Sequence, residues 1–219
     1  MKPLVDSRKC VSFTIAAFWQ GLSDHWPERQ QEEFLGPFVH RMIGRRIPWD
    51  HEEKLGWLMV DWIVHHYVPA WLDLSGEGAL AGVLRALPEV SSVGTWEQIQ
   101  STVQSANLAG AAAWNRAERS ASAEAFSAAR KAGWVAVDAT GGDSFWNVAW
   151  ELQRQYTWGA DEAMQAATLA MRVASRAAQA AAVTAKEELA RTIAVLQQSV
   201  CGLLDRMLRE ATRRNGGGE

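Results

Sequence analysis

Apolar residues recur every three or four positions along almost the whole chain, whereas runs with the alternating pattern of a β-strand are nearly absent. The first apolar stripe predicts a helix from about Asp6 to Leu22, with Asp6 or Ser7 as its cap. Pro27 suits the first turn of a second helix, and Pro37 should break or kink that helix. The chain therefore begins as a series of helices.

The third predicted helix is the clearest, because Asp50 and Glu53 form a capping-box pattern before a long apolar run. Its principal stripe consists of Leu55, Leu58, Met59, Trp62, Ile63 and His66, and Trp57, Val60 and Val64 cover the other side. A helix that is apolar all round belongs at the centre of a bundle. Pro69 should end or kink this helix.

Small residues recur in alternating steps of four and three over three segments that follow a second capping-box pattern at Thr95 and Gln98. They are Ala106, Gly110, Ala113 and Ala117; Ala125, Ala129, Ala132, Ala136 and Ala139; and Ala163, Ala167, Ala170, Ala174, Ala177 and Ala181. Small side chains let helix axes approach to about 8 Å, the lower end of the usual range. We interpret these positions as seams between close-packed helices, although helix propensity alone would also favour alanine.

The C-terminal segment, from Asp161 to about Arg214, contains no proline and has a helical pattern throughout. Near Ala185 its alanine seam gives way to a stripe of larger residues in a different register, which predicts a break or a local change of winding. The stripe consists of Leu189, Ile193, Leu196, Val200, Leu203, Leu204 and Met207. Either it packs on the protein's own bundle, or it is an exposed face that pairs with a second copy or another protein.

Together these patterns predict an all-α multi-helix bundle with alanine-seamed, close-packed long helices and a long C-terminal helical segment. The apolar content changes from Leu and Trp to Ala around residues 91–94. This change suggests a Trp- and Leu-rich subdomain over residues 1–90 and an Ala-rich, long-helix subdomain over residues 91–214. The glycine-rich tail at 215–219 is expected to be disordered.

Composition and charge narrow the classes of function. A formal net charge of -3 with dispersed charges argues against nucleic-acid and membrane partners. Cys10 and Cys201 lie far apart in helical, apolar contexts, as expected of core thiols in a reducing compartment. The N-terminus lacks a signal-peptide pattern, and charged residues and a proline interrupt the most apolar stretch. We therefore expect a soluble cytoplasmic protein.

The sequence carries no glycine-rich phosphate loop and no GxSxG or HExxH motif, and it predicts neither a cofactor nor a metal site. Asp61, His65 and His66, in the third helix, are the candidate catalytic group. Asp61 and His65 are four residues apart, so they share a face and could form a hydrogen bond that sets the imidazole tautomer. The same residues could instead be buried polar residues of the core whose hydrogen bonds are all formed within the protein.

The absence of catalytic motifs and the abundance of tryptophan, with 12 residues, favour a non-enzymatic protein-interaction module that acts through a helix face. Such a module could be an adaptor, a regulator, or a binder of the inhibitor or immunity type, with a protein partner or a second copy bound at the C-terminal helix. The alternative is a small-molecule-binding or catalytic bundle with Asp61, His65 and His66 in an aromatic-lined pocket. An open pocket beside the histidines would favour the alternative, and packed, hydrogen-bonded histidines would disfavour it.

Overall fold

The computed structural model describes residues 10–44, 46–153 and 158–213, and their regular secondary structure is entirely helical. The helices are α1 (Phe13–His25), α2 (Glu28–Gln30), α3 (Val39–Met42), α4 (Trp49–Trp62), α5 (Val68–Leu74), α6 (Gly78–Arg85), α7 (Val93–Ser120), α8 (Ala123–Ala139), α9 (Gly142–Gln153), α10 (Trp158–Thr184) and α11 (Leu189–Thr212). A π-helical turn (Gln31–Leu35) and a 3₁₀ turn (Gly36–Phe38) join α2 to α3, and a second π-helical turn (Ile63–Tyr67) joins α4 to α5. The predicted all-α bundle is confirmed.

The N-terminal helix starts later than its apolar pattern suggested. Helix α1 begins at Phe13, and Ser12 is its cap, with the Ser12 hydroxyl accepting from the Ile15 N–H at 3.0 Å. The Glu52 carboxylate is fully buried and accepts from the Phe13 and Thr14 N–H groups at 2.8 Å and 3.0 Å. An anion from α4 thereby satisfies the free N–H groups at the positive end of α1.

Some of the expectations for the chain ends concern residues that the structure does not describe. The proposed caps Asp6 and Ser7 and the tail at 215–219 lie outside the described residues. Cys10 is buried, as expected, but it lies outside the helices in an isolated antiparallel bridge with Ile43. Cys201 lies in α11 and is partly buried.

Helix α4 lies at the centre of the bundle, in agreement with its all-round apolar pattern. Helices α1, α9, α10 and α11 all pack against it. Trp57 and Trp62 are only 2% and 1% exposed. The Trp62 ring lies 5.4 Å, centroid to centroid, from the rings of Tyr67 and Phe145, and its indole N–H donates to the Ser199 hydroxyl at 2.9 Å.

The two ends of α4 differ from the sequence prediction. Pro48 is the N-cap residue and no side chain caps the helix, so the predicted box of Asp50 and Glu53 is absent. The helical path also continues beyond Pro69, because the π-helical turn Ile63–Tyr67 leads directly into α5. A proline ring clashes with the carbonyl four residues earlier in a regular α-helix, and the π-helical turn changes that spacing just before the proline.

Two of the three predicted alanine seams are buried at helix contacts. The seam of α7, with Ala106, Gly110, Ala113 and Ala117, faces α10, where the seam from Ala163 to Ala181 is also buried. A Cβ atom built on Gly110 would lie 3.4 Å from the backbone oxygen of Val173. The α7 seam therefore lies close to α10, where it meets Val173, Arg176 and Ala180, which are not among the predicted alanine steps of α10.

The predicted seam of α8 is only partly confirmed. Ala136 is buried and Ala129 and Ala139 are partly buried, but Ala125 and Ala132 are exposed, and Gly133 is buried in their place. A Cβ atom built on Gly133 would lie only 2.6 Å from the Cα atom of Gln179 in α10. The close contact of α8 therefore uses Gly133, which lies one residue out of register with the predicted steps.

The remaining boundaries also refine the sequence prediction. Helix α10 ends at Thr184 and α11 begins at Leu189, so the predicted discontinuity near Ala185 is a break. Helix α7 has a capping box, but Ser92 is its N-cap and Thr95 is its third residue. Helix α10 packs against α4 and α5 as well as against α7, α8 and α9. The subdomain division at residues 91–94 stays a prediction. Among the described residues, no helix has the length and apolarity required to cross a bilayer.

Candidate functional site

Asp61 and His65 form the hydrogen bond that their spacing predicted. The His65 Nδ1 atom lies 2.9 Å from Asp61 Oδ1 and 2.9 Å from the Asp61 backbone oxygen, and His65 Nε2 lies 3.1 Å from the backbone oxygen of Leu87. The Val90 N–H donates to Asp61 Oδ1 at 2.9 Å. Every partner of the His65 ring is an acceptor, so both ring nitrogens must donate, which is the hydrogen-bonding pattern of an imidazolium.

The charges of this pair support that assignment. The hydrogen bond to Asp61 is the main cause that raises the pKa of His65 above its usual value. Burial acts to raise the pKa of Asp61, but the hydrogen bonds from His65 and from the Val90 N–H outweigh it, so the pKa is lowered. The pair therefore ties the π-helical turn to the loop between α6 and α7, and a protonated His65 with both nitrogens engaged is not poised to act as a base.

His66 lies in a different environment from the one predicted. Its side chain is exposed, with the ring 6.5 Å from that of Trp62, and it makes no hydrogen bond to a described residue. Partial desolvation, followed by the positive charge of Arg206, lowers the pKa of His66. The π-helical turn explains the error, because a π turn rotates the following residues away from the positions that a regular α-helix would give them.

Asp61, His65 and His66 do not line any of the three cavities described for this structure. Within the described ranges, no group of His, Cys, Asp and Glu side chains is placed to hold a metal ion. His65 is hydrogen-bonded at both ring nitrogens, so its geometry lends the catalytic alternative no support.

The apolar stripe of the C-terminal helix is covered by the chain itself. Leu196, Val200, Leu203, Leu204 and Met207 are buried, and Leu189 and Ile193 are half-buried against the same core. Helix α11 packs on α1, α4, α5 and α8. Of the two outcomes considered for this stripe, the structure has the internal one, and the stripe does not present an exposed docking face. Assembly through this helix stays a prediction.

A groove that the sequence analysis missed lies between α7, α8, α9 and α10. It encloses about 570 Å³. Its lining consists of Ala111, Trp114, Asn115, Trp134, Trp146, Arg172, Ser175, Arg176 and Gln179. Trp134 and Trp146 are 46% and 40% exposed, and Trp150, one turn further along α9, is 69% exposed. These three side chains form what we call the tryptophan face.

Local packing determines where these indoles lie. The close contact of Gly133 with Gln179 holds α8 against α10 at the residue that precedes Trp134. The buried Phe145, whose ring lies 5.7 Å from that of Phe18, fixes α9 so that the next residue, Trp146, is exposed. Trp114 packs edge-on against Phe126, with 4.6 Å between ring centroids. The groove is therefore built on packed helices, which is typical of preformed binding sites.

The charged residues of the groove are both positive. Arg172 and Arg176 are exposed and lie one turn apart on α10, and none of the described residues that line the groove is acidic. The Arg176 guanidinium donates to the Asn107 side-chain oxygen at 2.9 Å. Arg172 makes no hydrogen bond or ion pair with a described residue. This positive site contrasts with the net charge of -3 of the whole chain.

The sequence held a partial signal for this groove. Trp146 and Trp150 are four residues apart, so they share a helix face, and Trp134 follows a glycine within a helix. Only the fold shows that these positions face solvent and that α10 adds two arginines beside them. No family model, curated protein or solved structure matches the chain, so its function has to be inferred from this geometry.

Proposed function

We propose that this protein is a non-enzymatic interaction module that binds a partner protein through the tryptophan face. The observation that carries the proposal is the exposure of three indoles, Trp134, Trp146 and Trp150, on two adjacent helices. Large apolar side chains that cluster on a surface mark sites of interaction, and tryptophan is enriched among the residues that dominate binding energy.

The location differs from the one that the sequence suggested, while the class of function is the same. The stripe from Leu189 to Met207 was the sequence-based candidate, and its internal packing removes the main reason for choosing it. An interaction module needs an exposed apolar face, which the stripe does not offer. The tryptophan face does, because its indoles are exposed on helices whose opposite sides are buried. Rigid helices limit the conformational entropy lost on binding.

The catalytic alternative has less support. His65 donates through both ring nitrogens, and its partner Asp61 is engaged by the Val90 N–H. A general base needs a free acceptor atom within reach of a substrate proton. The exposed His66 lacks a carboxylate partner among the described residues.

The proposal is tested with the double variant W146A/W150A and a matched control, V195A, which truncates an apolar side chain of α11 that is 57% exposed. Each is expected to keep the melting temperature of the wild-type protein, because both sites are on the surface. Affinity purification from the native cell, with quantitative mass spectrometry, should recover a partner with the wild type and V195A that W146A/W150A loses. Truncating a dominant interface tryptophan costs about 2 kcal/mol or more, roughly a thirtyfold loss of affinity.

Light scattering of the purified proteins tests whether the partner is a second copy of the chain. A concentration-dependent mass in the wild type that disappears in W146A/W150A would identify self-association through this face. The proposal is wrong if the wild type, the double variant and V195A retain the same proteins in the same amounts and have the same mass.

A further inference from the structure

We infer that the groove binds an acidic segment of the partner, in which carboxylates flank an apolar or aromatic side chain. The inference rests on the proposed function and adds the chemistry of the partner. Its basis is the juxtaposition of three indoles, those of Trp114, Trp134 and Trp146, with the guanidinium groups of Arg172 and Arg176 in one groove.

The two arginines are available to a ligand carboxylate. Arg116, on the neighbouring α7, already pairs with Glu77, so its charge is compensated within the chain. Arg172 has no such partner among the described residues, and the Arg176 guanidinium donates to the neutral Asn107 side chain but pairs with no described carboxylate. Like charges four residues apart on a helix repel each other, and a bound anion would relieve that repulsion. The planar guanidinium can also receive a carboxylate through two parallel hydrogen bonds.

The remaining lining suits a side chain with an apolar body. The indoles offer flat apolar surface, and the Asn115 and Gln179 side chains add amide groups to the lining. The volume of about 570 Å³ lies within the range of ligand-binding clefts and accommodates a few side chains but not a folded domain. A short segment that inserts one apolar side chain between carboxylates therefore matches both the size and the charge of the groove.

A nucleic acid fits these observations less well, although aromatic and arginine side chains also bind single strands. Nucleic-acid affinity depends on many phosphate contacts, whereas the groove provides two cations in a chain whose net charge is -3. Repulsion between this net charge and a polyanion disfavours binding along the rest of the surface. The carboxylates of a short peptide need only the two arginines.

The test uses fluorescence anisotropy with two short peptides that carry an uncharged dye. The first is acetyl-Asp-Glu-Leu-Trp-Asp-Glu-amide, and the second has lysine at its four acidic positions. The wild type should bind the acidic peptide more tightly by about tenfold or more, and added salt should reduce the difference. The charge reversal R172E/R176E should invert the preference. The control R29E/R191E changes the net charge equally on α2 and α11 and should keep the wild-type preference.

The inference fails if the wild type binds the two peptides equally, or if R172E/R176E and the milder R172Q/R176Q both keep the wild-type preference while remaining folded by circular dichroism. Tighter binding of a short oligothymidylate than of the acidic peptide would also overturn it. Failure here is distinguishable from failure of the proposed function. If W146A/W150A loses its cellular partner while charge reversal changes nothing, the tryptophan face is an interaction surface whose partner segment is not acidic.

Discussion

Neighbouring residues of α9 have opposite roles in this protein. Phe145 is fully buried and contacts the rings of Trp62 and Tyr67, whereas Trp146 is 40% exposed at the groove. The core contact fixes the helix, and the helix then sets the direction of the exposed indole. A side chain held in this way loses little entropy when a partner binds, which is the property expected of an interface anchor.

The ion pair of Asp61 and His65 leads to a prediction about pH. Because the pKa of His65 is raised in the folded protein, its contribution to stability is complete below the unfolded pKa of about 6.5 and is lost as the pH rises through the folded pKa. The pKa of Asp61 is lowered, so its contribution is lost only as the pH falls through that lowered value. The pair therefore stabilises the fold between these two pKa values.

We expect the free energy of unfolding lost in H65Q to be largest near pH 6 and to shrink as the pH rises to about 9. Urea titrations at a series of pH values measure this difference directly. The adjacent substitution H66Q is the control, because its effect on the free energy of unfolding should change with pH in the opposite direction. Because the pKa of His66 is lowered, removing this residue should help the protein most in acid, where the wild type must protonate a disfavoured imidazole near His65, Arg85 and Arg206. A loss in H65Q that does not vary with pH would contradict the ion pair.

At the scale of helices, the periodicity of the sequence predicted that the chain is helical, but it did not predict every helix end or the side that each helix turns towards the core. The apolar pattern predicted the central helix and a discontinuity near Ala185, because both follow from local spacing. The pattern wrongly placed His66 in the apolar stripe, because the π-helical turn shifts the phase of the helix by one residue. No residue type in the sequence predicts such a turn. The side of α8 that faces the bundle is set by contact with α10 at Gly133, which is a tertiary effect.

The groove depends on the packing of several helices, so only part of it could be predicted from the sequence. The positions of Trp146 and Trp150 on one helix face follow from their spacing, but the groove needs four helices in a particular arrangement. Arg172 and Arg176 come from α10, far along the sequence from Trp114. Only the fold brings these residues together.

The alanine seams give a prediction that separates packed helix faces from exposed ones. Replacing Ala170 or Ala174 with Leu should overpack the interior side of α10 and destabilise the protein by about 1–3 kcal/mol. The matched changes Ala125→Leu and Ala132→Leu place the same side chain on the exposed side of α8. They should have little effect on stability, because alanine and leucine are both good helix formers. Thermal melts of the four variants measure the contrast, and equal melting temperatures would reject the buried seam of α10.

At the scale of the whole molecule, α10 connects the core to the candidate site. Its small side chains contact α7, α8 and α9 on one side and α4 and α5 on another. Its remaining side carries Arg172 and Arg176 into the groove. The alanines therefore place the tryptophans of three helices around a fourth helix that supplies the charge. Helix α11 contributes no side chain to the groove lining, and its apolar stripe completes the core on α1, α4, α5 and α8.

This arrangement predicts the outcome of removing α11. Truncation after Ala185 deletes seven buried residues of this helix, and full burial of one large apolar side chain is worth about 1.5–3 kcal/mol. The summed loss exceeds the total stability of a typical domain, about 5–15 kcal/mol, once the partner surfaces on α4 and α5 are also exposed to water. We therefore expect the truncated chain to lose its cooperative thermal transition and its near-ultraviolet circular dichroism. A control truncated after Arg213 keeps every described residue and should melt like the full chain.

Light scattering of the same samples separates this outcome from a role of α11 in assembly. If the stripe from Leu189 to Met207 served mainly to pair two chains, the truncated protein would stay folded and lose only its assembled mass. If the stripe serves the core, as its burial indicates, folding is lost and the exposed surfaces of α4 and α5 promote aggregation. A truncated chain that keeps both its melting temperature and its mass would contradict both roles, and it would show that the central helix packs stably without α11.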